Sequence, residues 1–262
     1  MKYTLITGAS SGIGEGFARR LAAEKHNLVL VARSGEKLKA LCDELTAKHQ
    51  IDCRFFAVDL LEFEADVELF DETEKKGLEI DWLINNAGFG SSGDFASLDL
   101  ERELEIIDLN ISALVALTHR FLQKMRERKS GTIINVSSAA GFQPIPFMAT
   151  YAASKAFVSS FSEAIAEENR PYGIHVMALC PGSTKTNFFE ASNIERPIQV
   201  KGQQTVDDVI DTAMKAVGQR KTKVVSGWAN YIGSIAGTLV PNSLSSRVMA
   251  KALRGRYQKE ES

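Results

Sequence analysis

The stretch YTLITGASSGIGEGFARRLA, residues 3–22, sets an apolar run against three glycines, Gly8, Gly12 and Gly14, and then a helix-like run. YTLIT has the apolar and β-branched character of a buried strand. Past the glycines, Phe17 and Leu21 stand at helical spacing with alanines around them, one face of a helix turned inward. Such a turn points the first amides of the helix at its ligand, where negative charge is favoured. Gly8 lets the chain leave the strand tightly. Gly12 and Gly14 remove side chains where backbone must approach a pyrophosphate or pack on the sheet. Ser10 and Ser11 add hydroxyl donors. The spacing is G-x-x-x-G-x-G, not the common dinucleotide form G-x-G-x-x-G. A mononucleotide phosphate loop does not fit, because no G-K-[ST] follows. The alternative is an ordinary strand-to-helix turn.

The same alternation runs outward along the chain. NLVLVAR, DCRFFAVDL, IDWLINNAG, SGTIINVSS, GIHVMALCPG and the short TKVVSG read as six further strands. Helical runs fill nearly every gap: SGEKLKALCDELTAKH, which Ser34 is placed to cap, EADVELFDETEKKG ended by Gly77, a long stretch from about Leu100 to Arg128, YAASKAFVSSFSEAIAEENR and TVDDVIDTAMKAVG. Continuous apolar strands separated by helices predict an α/β fold with a doubly wound, mainly parallel seven-stranded sheet and helices on both faces. No linker, short repeat or low-complexity tract interrupts it. The chain reads as one domain, 1–262, with 227–262 as a C-terminal extension.

In such folds ligands bind at the carboxyl ends of the strands. The polar motifs collect there. Gly8 to Gly14 follow strand one, Arg33 strand two and Asp59 strand three. Asn85 to Gly88 follow strand four, Ser137 and Ser138 strand five, and Pro181 to Thr186 strand six. One glycine turn can be chance; six motifs on one edge are a site. Strand two ends in Ala32 and Arg33, where a site for a free ribose diol places Asp or Glu. An arginine fork matches a 2′-phosphate, with Lys37 one turn on, so NADP(H) is expected in preference to NAD(H). Asp59 is placed to accept from an adenine amino group. The small residues after strand four leave room beside a ribose, and their amides can tie loops together.

YAASK sets Tyr151 and Lys155 on one face of a helix start. A phenol with a reference pKa of about 10 is a poor acid or base at neutral pH. A neighbouring ammonium lowers it, a bound oxidised nicotinamide, also positive, would push the same way, and the two together would make Tyr151 a general acid–base. Ser138 offers a hydroxyl to a carbonyl oxygen, or else caps a helix or turn. Asn110, in EIIDLNISAL, needs a hydrogen-bond partner in its apolar surroundings, local or a bound water.

TGASSGIG (Thr7 to Gly14), NNAG (Asn85 to Gly88), Asn110, Ser138, YAASK and PG (Pro181, Gly182) together resemble the short-chain dehydrogenase/reductase family, over about residues 2 to 226. The resemblance implies a Rossmann-like core and a tetrad. In it Asn110 holds a relay water, Ser138 orients the carbonyl, Tyr151 passes the proton, and Lys155 lowers the tyrosine pKa and grips a ribose. It accounts for the glycine spacing, which is the family's own. It places Asn86 near the adenine ribose and Thr186 near the nicotinamide carboxamide. It also implies a homodimer or homotetramer through the long helix around Asn110 and the Tyr151 helix. The full expected cofactor set is Gly8, Ser10, Ser11, Gly12, Ile13, Gly14, Arg33, Asp59, Leu60, Asn86, Ala87, Gly88, Tyr151, Lys155, Pro181, Gly182, Thr184 and Thr186. The family's other signal for NADP, a basic residue inside the glycine turn, is absent; those positions are Ala9, Ser10 and Ser11.

The reaction expected is reduction of a carbonyl, an apolar ketone or 3-oxoacyl compound, to a secondary alcohol. Hydride comes from the nicotinamide and the proton from Tyr151. Ser138, Phe142, Phe147, Tyr151 and Phe188 are the expected substrate contacts, with Phe89, Ile145, Met148 and Phe189 as further walls. No metal is called for, and His26, His49, His119 and His175 are scattered. The segment TNFFEASNIERPIQVKGQQ is short for a lid and shows no docking patch for a carrier. The tail from Trp228, apolar and then basic with Pro241 between, covers the core, extends a subunit contact or lies on a membrane surface; a cover is favoured.

Net charge of −2 gives no global pull toward nucleic acid or an anionic membrane. Three cysteines in no ligand pattern suit a reducing, cytoplasmic location. MKYTLITGAS has too short an apolar run for a signal peptide, and no run reaches membrane-spanning length. Two rival readings stand: a non-enzymatic NADP(H)-binding sensor or scaffold, and an epimerase or dehydratase on the same core.

Overall fold

Strand β1, Lys2–Thr7, is buried from its second residue to its last. It takes the centre of a seven-stranded sheet in the order β3-β2-β1-β4-β5-β6-β7. The structure, a computed structural model, describes residues 1–192 and 203–257. Residues 193–202, most of the segment weighed above as a lid, and 258–262 lie outside them. In chain order the elements are β1, α1 (Gly12–Ala23), β2 (Asn27–Ala32), α2 (Gly35–His49), β3 (Cys53–Ala57), α3 (Ala65–Lys75) and β4 (Glu79–Asn85). Then come α4 (Leu100–Ile107), α5 (Leu114–Arg128), β5 (Thr132–Val136), α6 (Ala149–Asn169) and β6 (His175–Cys180). The last are α7 (Phe188–Ala191), α8 (Val206–Gly218), β7 (Lys223–Val225), α9 (Trp228–Leu239) and α10 (Asn242–Tyr257).

Every strand pair is parallel. Parallel strands need crossovers, and helices that cross must cover the sheet. Alternate strand residues therefore supply two cores. Ile6, Leu28 and Leu30 meet Phe17 and Leu21 of α1, Leu38 of α2 and Val209 of α8 on one face. Leu5, Val29 and Val31 meet Leu117 and Phe121 of α5 and Ile165 of α6 on the other. Phe17 and Phe121 are almost wholly enclosed, and each such burial stabilises the fold by about 1.5–3 kcal/mol. The strand order reverses between β1 and β4, and the crevice at that switch point opens at the carboxyl ends of the strands.

Two local expectations are corrected. Ser34 precedes α2 but makes no side-chain cap bond; Thr205, before α8, forms a full capping box with Asp208. The stretch from Leu100 to Arg128 is not one regular helix. Residues Asp108–Ala113 form a π-helical turn between α4 and α5, with Asn110 inside it. The extra residue in such a turn re-aims side chains that a regular helix would place elsewhere.

Candidate active site

The glycine turn closes on itself through backbone. Gly8 and Gly12 have φ of +63° and +58°, a region that favours glycine. A Cβ on Gly14 would lie 2.3 Å from the Gly8 carbonyl oxygen, and one on Gly8 2.8 Å from Asn86 Nδ2. Asn86 Nδ2 donates to the carbonyls of Thr7 (3.0 Å) and Gly8 (3.1 Å), while Thr7 Oγ1 accepts from the amides of Asn86 and Ala87. The first residues after β4 thus lock the turn after β1, the tying role expected of these amides. Ser11, the N-cap of α1, makes no side-chain cap bond, so the start of the helix retains its affinity for an anion. These cradles of bare backbone fit a pyrophosphate.

A cavity of about 670 Å³ runs from this turn across the switch point. Of the expected cofactor set, all but Gly14 line it, including Arg33, Asp59, Leu60, Pro181, Thr184 and Thr186. Gly14 instead packs α1 against the turn. Arg33 Nη1 lies 3.7 Å from Asp59 Oδ2, its side chain 69% exposed, an ion pair of small energy that leaves the guanidinium open to a ligand. Lys37 does not line the cavity. Thr184 Oγ1 donates to the Gly182 carbonyl, and Thr186 Oγ1 accepts from the Phe188 amide.

The structure brings Ser138, Tyr151 and Lys155 to the cavity wall. Asn110 stands behind them, 1% exposed. Its Oδ1 accepts from the Phe89 amide (3.2 Å), and its Nδ2 donates to the Phe89 carbonyl (3.0 Å) and to Ser154 Oγ (3.0 Å). Ser154 in turn donates to the Tyr151 carbonyl (2.7 Å). The side chain of Asn110 is therefore satisfied locally, by protein groups. Two glycines give the tetrad its space. A Cβ on Gly88 would meet Asn110 Oδ1 at 2.5 Å, and one on Gly90 would meet the Tyr151 ring at 2.9 Å.

Burial raises the Tyr151 pKa, with the hydrogen bond to Ser138 working against it. The expectation that Lys155 lowers this pKa is not met in this geometry. Lys155 is itself buried, its Nζ donates to the Val136 carbonyl (3.0 Å), and it sits 5.8 Å from the centre of the tyrosine ring. Desolvation brings the lysine pKa down to about 8. The cost of taking a phenolate out of water is the largest influence on the phenol.

At the substrate end Ile145, Met148, Phe188 and Phe189 line the cavity, while Phe142, Phe147 and Phe89 do not. Phe142 packs under Lys223 of β7, whose Nζ is 5.4 Å from its ring. Phe147, at φ +66°, stacks on Tyr257 at 5.2 Å. Phe89 lies against the Arg102 guanidinium. The wall that replaces them comes from Leu109 and from the tail: Asn230 of α9 and Met249, Ala252 and Leu253 of α10. Tyr257 Oη donates to Ser92 Oγ (3.3 Å), fastening the end of α10 beside the cavity mouth. The tail is thus a cover, as favoured above. Met249 and Leu253, four apart on a helix, carried a signal for it; Gly90 and Asn230 carried none. His175 is structural, its Nε2 on the Lys221 carbonyl at 2.8 Å.

Behind the site, Asn85 donates to Thr118 Oγ1 and Asn135 Oδ1, and Asn135 donates to Ser162 Oγ, all within 3.0 Å. This buried network joins β4 and β5 to α5 and α6 and fixes the strand ends on which the tetrad depends.

Comparison with known proteins agrees with this geometry. A family profile for short chain dehydrogenases matches residues 2–197. The very-long-chain 3-oxoacyl-CoA reductase of Mus musculus is 31% identical over 268 residues, covering 99% of this chain and 83% of that protein. A short-chain dehydrogenase from Sphingobium yanoikuyae, in complex with NADPH, superposes with a TM-score of 0.83 at 29% identity, covering 100% of this chain and 98% of that one. The bulky-bulky ketone specific alcohol dehydrogenase from Comamonas testosteroni gives a TM-score of 0.77 at 27% identity, with 100% and 97% covered. The chain belongs to the short-chain dehydrogenase family: it is an oxidoreductase on a Rossmann-like fold, with a nicotinamide cofactor site.

Proposed function

We propose that this protein is an NADPH-dependent reductase that converts an apolar ketone or 3-oxoacyl compound to a secondary alcohol. The observation that carries the reading is the buried phenol of Tyr151, beside Ser138 in the wall of a cavity that begins at the glycine turn and ends among apolar side chains. When bound, a reduced nicotinamide supplies hydride. Ser138 orients the carbonyl oxygen, and Tyr151 gives that oxygen a proton as negative charge develops there. A phenol with a raised pKa keeps its proton at neutral pH, which suits a donor in the reductive direction. Lys155 holds the strand end at Val136 and would hold the ribose of the bound cofactor; Asn110 fixes the Phe89 backbone and Ser154 beneath Tyr151.

Arg33 at the end of β2, with no carboxylate at that strand end, supports NADP(H) over NAD(H). The NADPH complex of the Sphingobium relative points the same way. The names of the mouse and Comamonas relatives support an acyl chain or a ketone with two large substituents. Assembly as a homodimer or homotetramer belongs to the same reading. Leu100, Leu104 and Ile107 of α4 and Phe157 of α6 are 64%, 50%, 39% and 41% exposed, an apolar face suited to a second copy. So does one domain over 1–262 at work in the cytoplasm, with its three cysteines free.

A panel of carbonyls spanning 3-oxoacyl thioesters, bulky ketones and small polar aldehydes, followed by loss of nicotinamide absorbance, tests it. The apolar members turn over, and faster with NADPH than with NADH. Arg33→Ala weakens NADPH binding by about tenfold or more, the loss of a charge-assisted fork on phosphate, and leaves NADH binding as it was. Tight NADPH binding with no turnover across the panel would sink the reading in favour of a sensor. A preference for NADH removes the role given to Arg33.

A further inference from the structure

Helix α9 is inverted for a helix in water, which turns its apolar stripe inward. Its buried positions are Ser234 and Gly237, with Asn230 on the same side. Trp228, Ile232, Ile235 and Leu239 repeat at helical spacing on the opposite side, 79%, 56%, 42% and 79% exposed, with Tyr231 beside them. The inward choice has a local cause. Asn230 donates to the Ser226 carbonyl (2.8 Å) and abuts Gly182, and Gly237 meets the Gln143 side chain. Nothing among the described residues accounts for the outer stripe, which runs for about 16 Å along the helix.

Helix α10 also exposes apolar side chains. Leu244 and Val248 are 53% and 64% exposed, with Arg247, Lys251 and Arg254 exposed around them. The other side of the same helix supplies Met249, Ala252 and Leu253 to the cavity. From residue 227 to 257 there are four basic residues and no Asp or Glu, in a chain of net charge −2.

We propose that the outer face of α9 and α10 docks on an anionic lipid bilayer. The large side chains of α9 enter the boundary between headgroups and acyl chains, and Arg247 and Lys251 meet lipid phosphates. Charge selects this occupant over a second copy. A two-fold contact through the face brings the cations of both copies into one interface, with no carboxylate on either helix to answer. An anionic bilayer meets both the apolar stripe and the cations, and Trp228 and Tyr231 have the amphipathic rings favoured at its interface. No helix among the described residues is long and apolar enough to cross a membrane, so the contact is with the surface. Because α10 has one side in the cavity wall and the other on this face, docking puts the cover of the cavity at the lipid. The proposal does not depend on which carbonyl is reduced.

The test is co-sedimentation of the full chain with phosphatidylcholine vesicles, with and without phosphatidylglycerol. It compares the parent with Trp228→Ser/Ile235→Ser and with Arg247→Gln/Lys251→Gln, all exposed positions outside the reactive machinery. NADPH titration and thermal melting establish that each is folded. The parent binds phosphatidylglycerol vesicles about tenfold or more tightly than neutral ones, with a blue shift of tryptophan emission; the apolar variant loses that binding, and the charge variant loses the lipid preference. Absence of parent binding to either vesicle overturns the proposal, as does equal binding by all three proteins. So does a parent oligomer that the apolar variant dissociates without any vesicle binding, which would assign the face to a second copy.

Discussion

At one end of the cavity, Gly8, Gly14, Thr7 and Asn86 meet atom against atom, with prospective Cβ positions 2.3 to 2.8 Å from their neighbours. At the other end, α10 contributes Met249, Ala252 and Leu253 from a helix with no buried residue at all. The glycine turn is specified by backbone, which cannot yield. The cover is specified by side chains that lean on one another, with water on their far side. A backbone cradle has one solution; a wall of apolar side chains needs only a suitable size. Sequence tolerance should differ accordingly between the two ends.

The largest effect is expected where they meet. Tyr151→Phe lowers kcat by about 10²–10⁴-fold through loss of the proton donor, while NADPH titration stays like the parent. Retained turnover would detach the chemistry from this junction. Next, Gly14→Ala forces a methyl into the Gly8 carbonyl oxygen. Overpacking that cannot relax costs about 3 kcal/mol or more, read by urea unfolding together with weakened NADPH binding; unchanged stability would break the contrast at its rigid end.

Lys155→Met separates stability from activity. The buried amine has its pKa lowered from 10.5 to about 8, so below pH 8 the native state holds a desolvated charge. Between pH 8 and 10.5 the unfolded chain binds more protons than the folded one, and parent stability rises with pH. The variant is therefore the more stable at pH 7, by about 1–3 kcal/mol, and its advantage shrinks toward pH 10 as the parent amine neutralises, while turnover is lost at both. Parallel unfolding curves at the two pH values check the sign. The smallest effect belongs to the cover. Gly233 of α9 has open space around its Cβ position, so Gly233→Ala stabilises the fold by about 0.5–1 kcal/mol through helix propensity. The same glycine-to-alanine change thus has opposite signs at the two ends, measurable as opposite shifts in Tm.

Much of this was legible in order along the chain. Leu5 and Ile6, or Val29 and Leu30, face opposite cores because strand period is two, a property of backbone alone. The glycine turn and the YAASK spacing are likewise local, and their joint occurrence carried the family. The loop from Ala139 to Met148 was not legible in the same way. Phe142 and Phe147 were expected at the substrate. In the fold one lies under Lys223, and the other takes a left-handed φ whose carbonyl accepts from the Gly93 amide. A loop side chain points where distant partners leave room, and no periodicity announces it. The π-helical turn at Asn110 was hidden for a similar reason, because DLNISA has no local signal that separates it from α-helix.

By itself the sequence determined the doubly wound sheet, the edge at which the cavity opens and the residues of its glycine end, Gly14 apart, since strand and helix periods and glycine conformations are set by near neighbours. Only the tertiary structure decided which way the Tyr151 pKa moves, because desolvation depends on everything packed around the ring. It alone decided that α9 presents Trp228 and Ile232 outward and Asn230 inward, because the contact of Asn230 with Gly182 joins residues far apart in the chain and fixes the rotation of the whole helix.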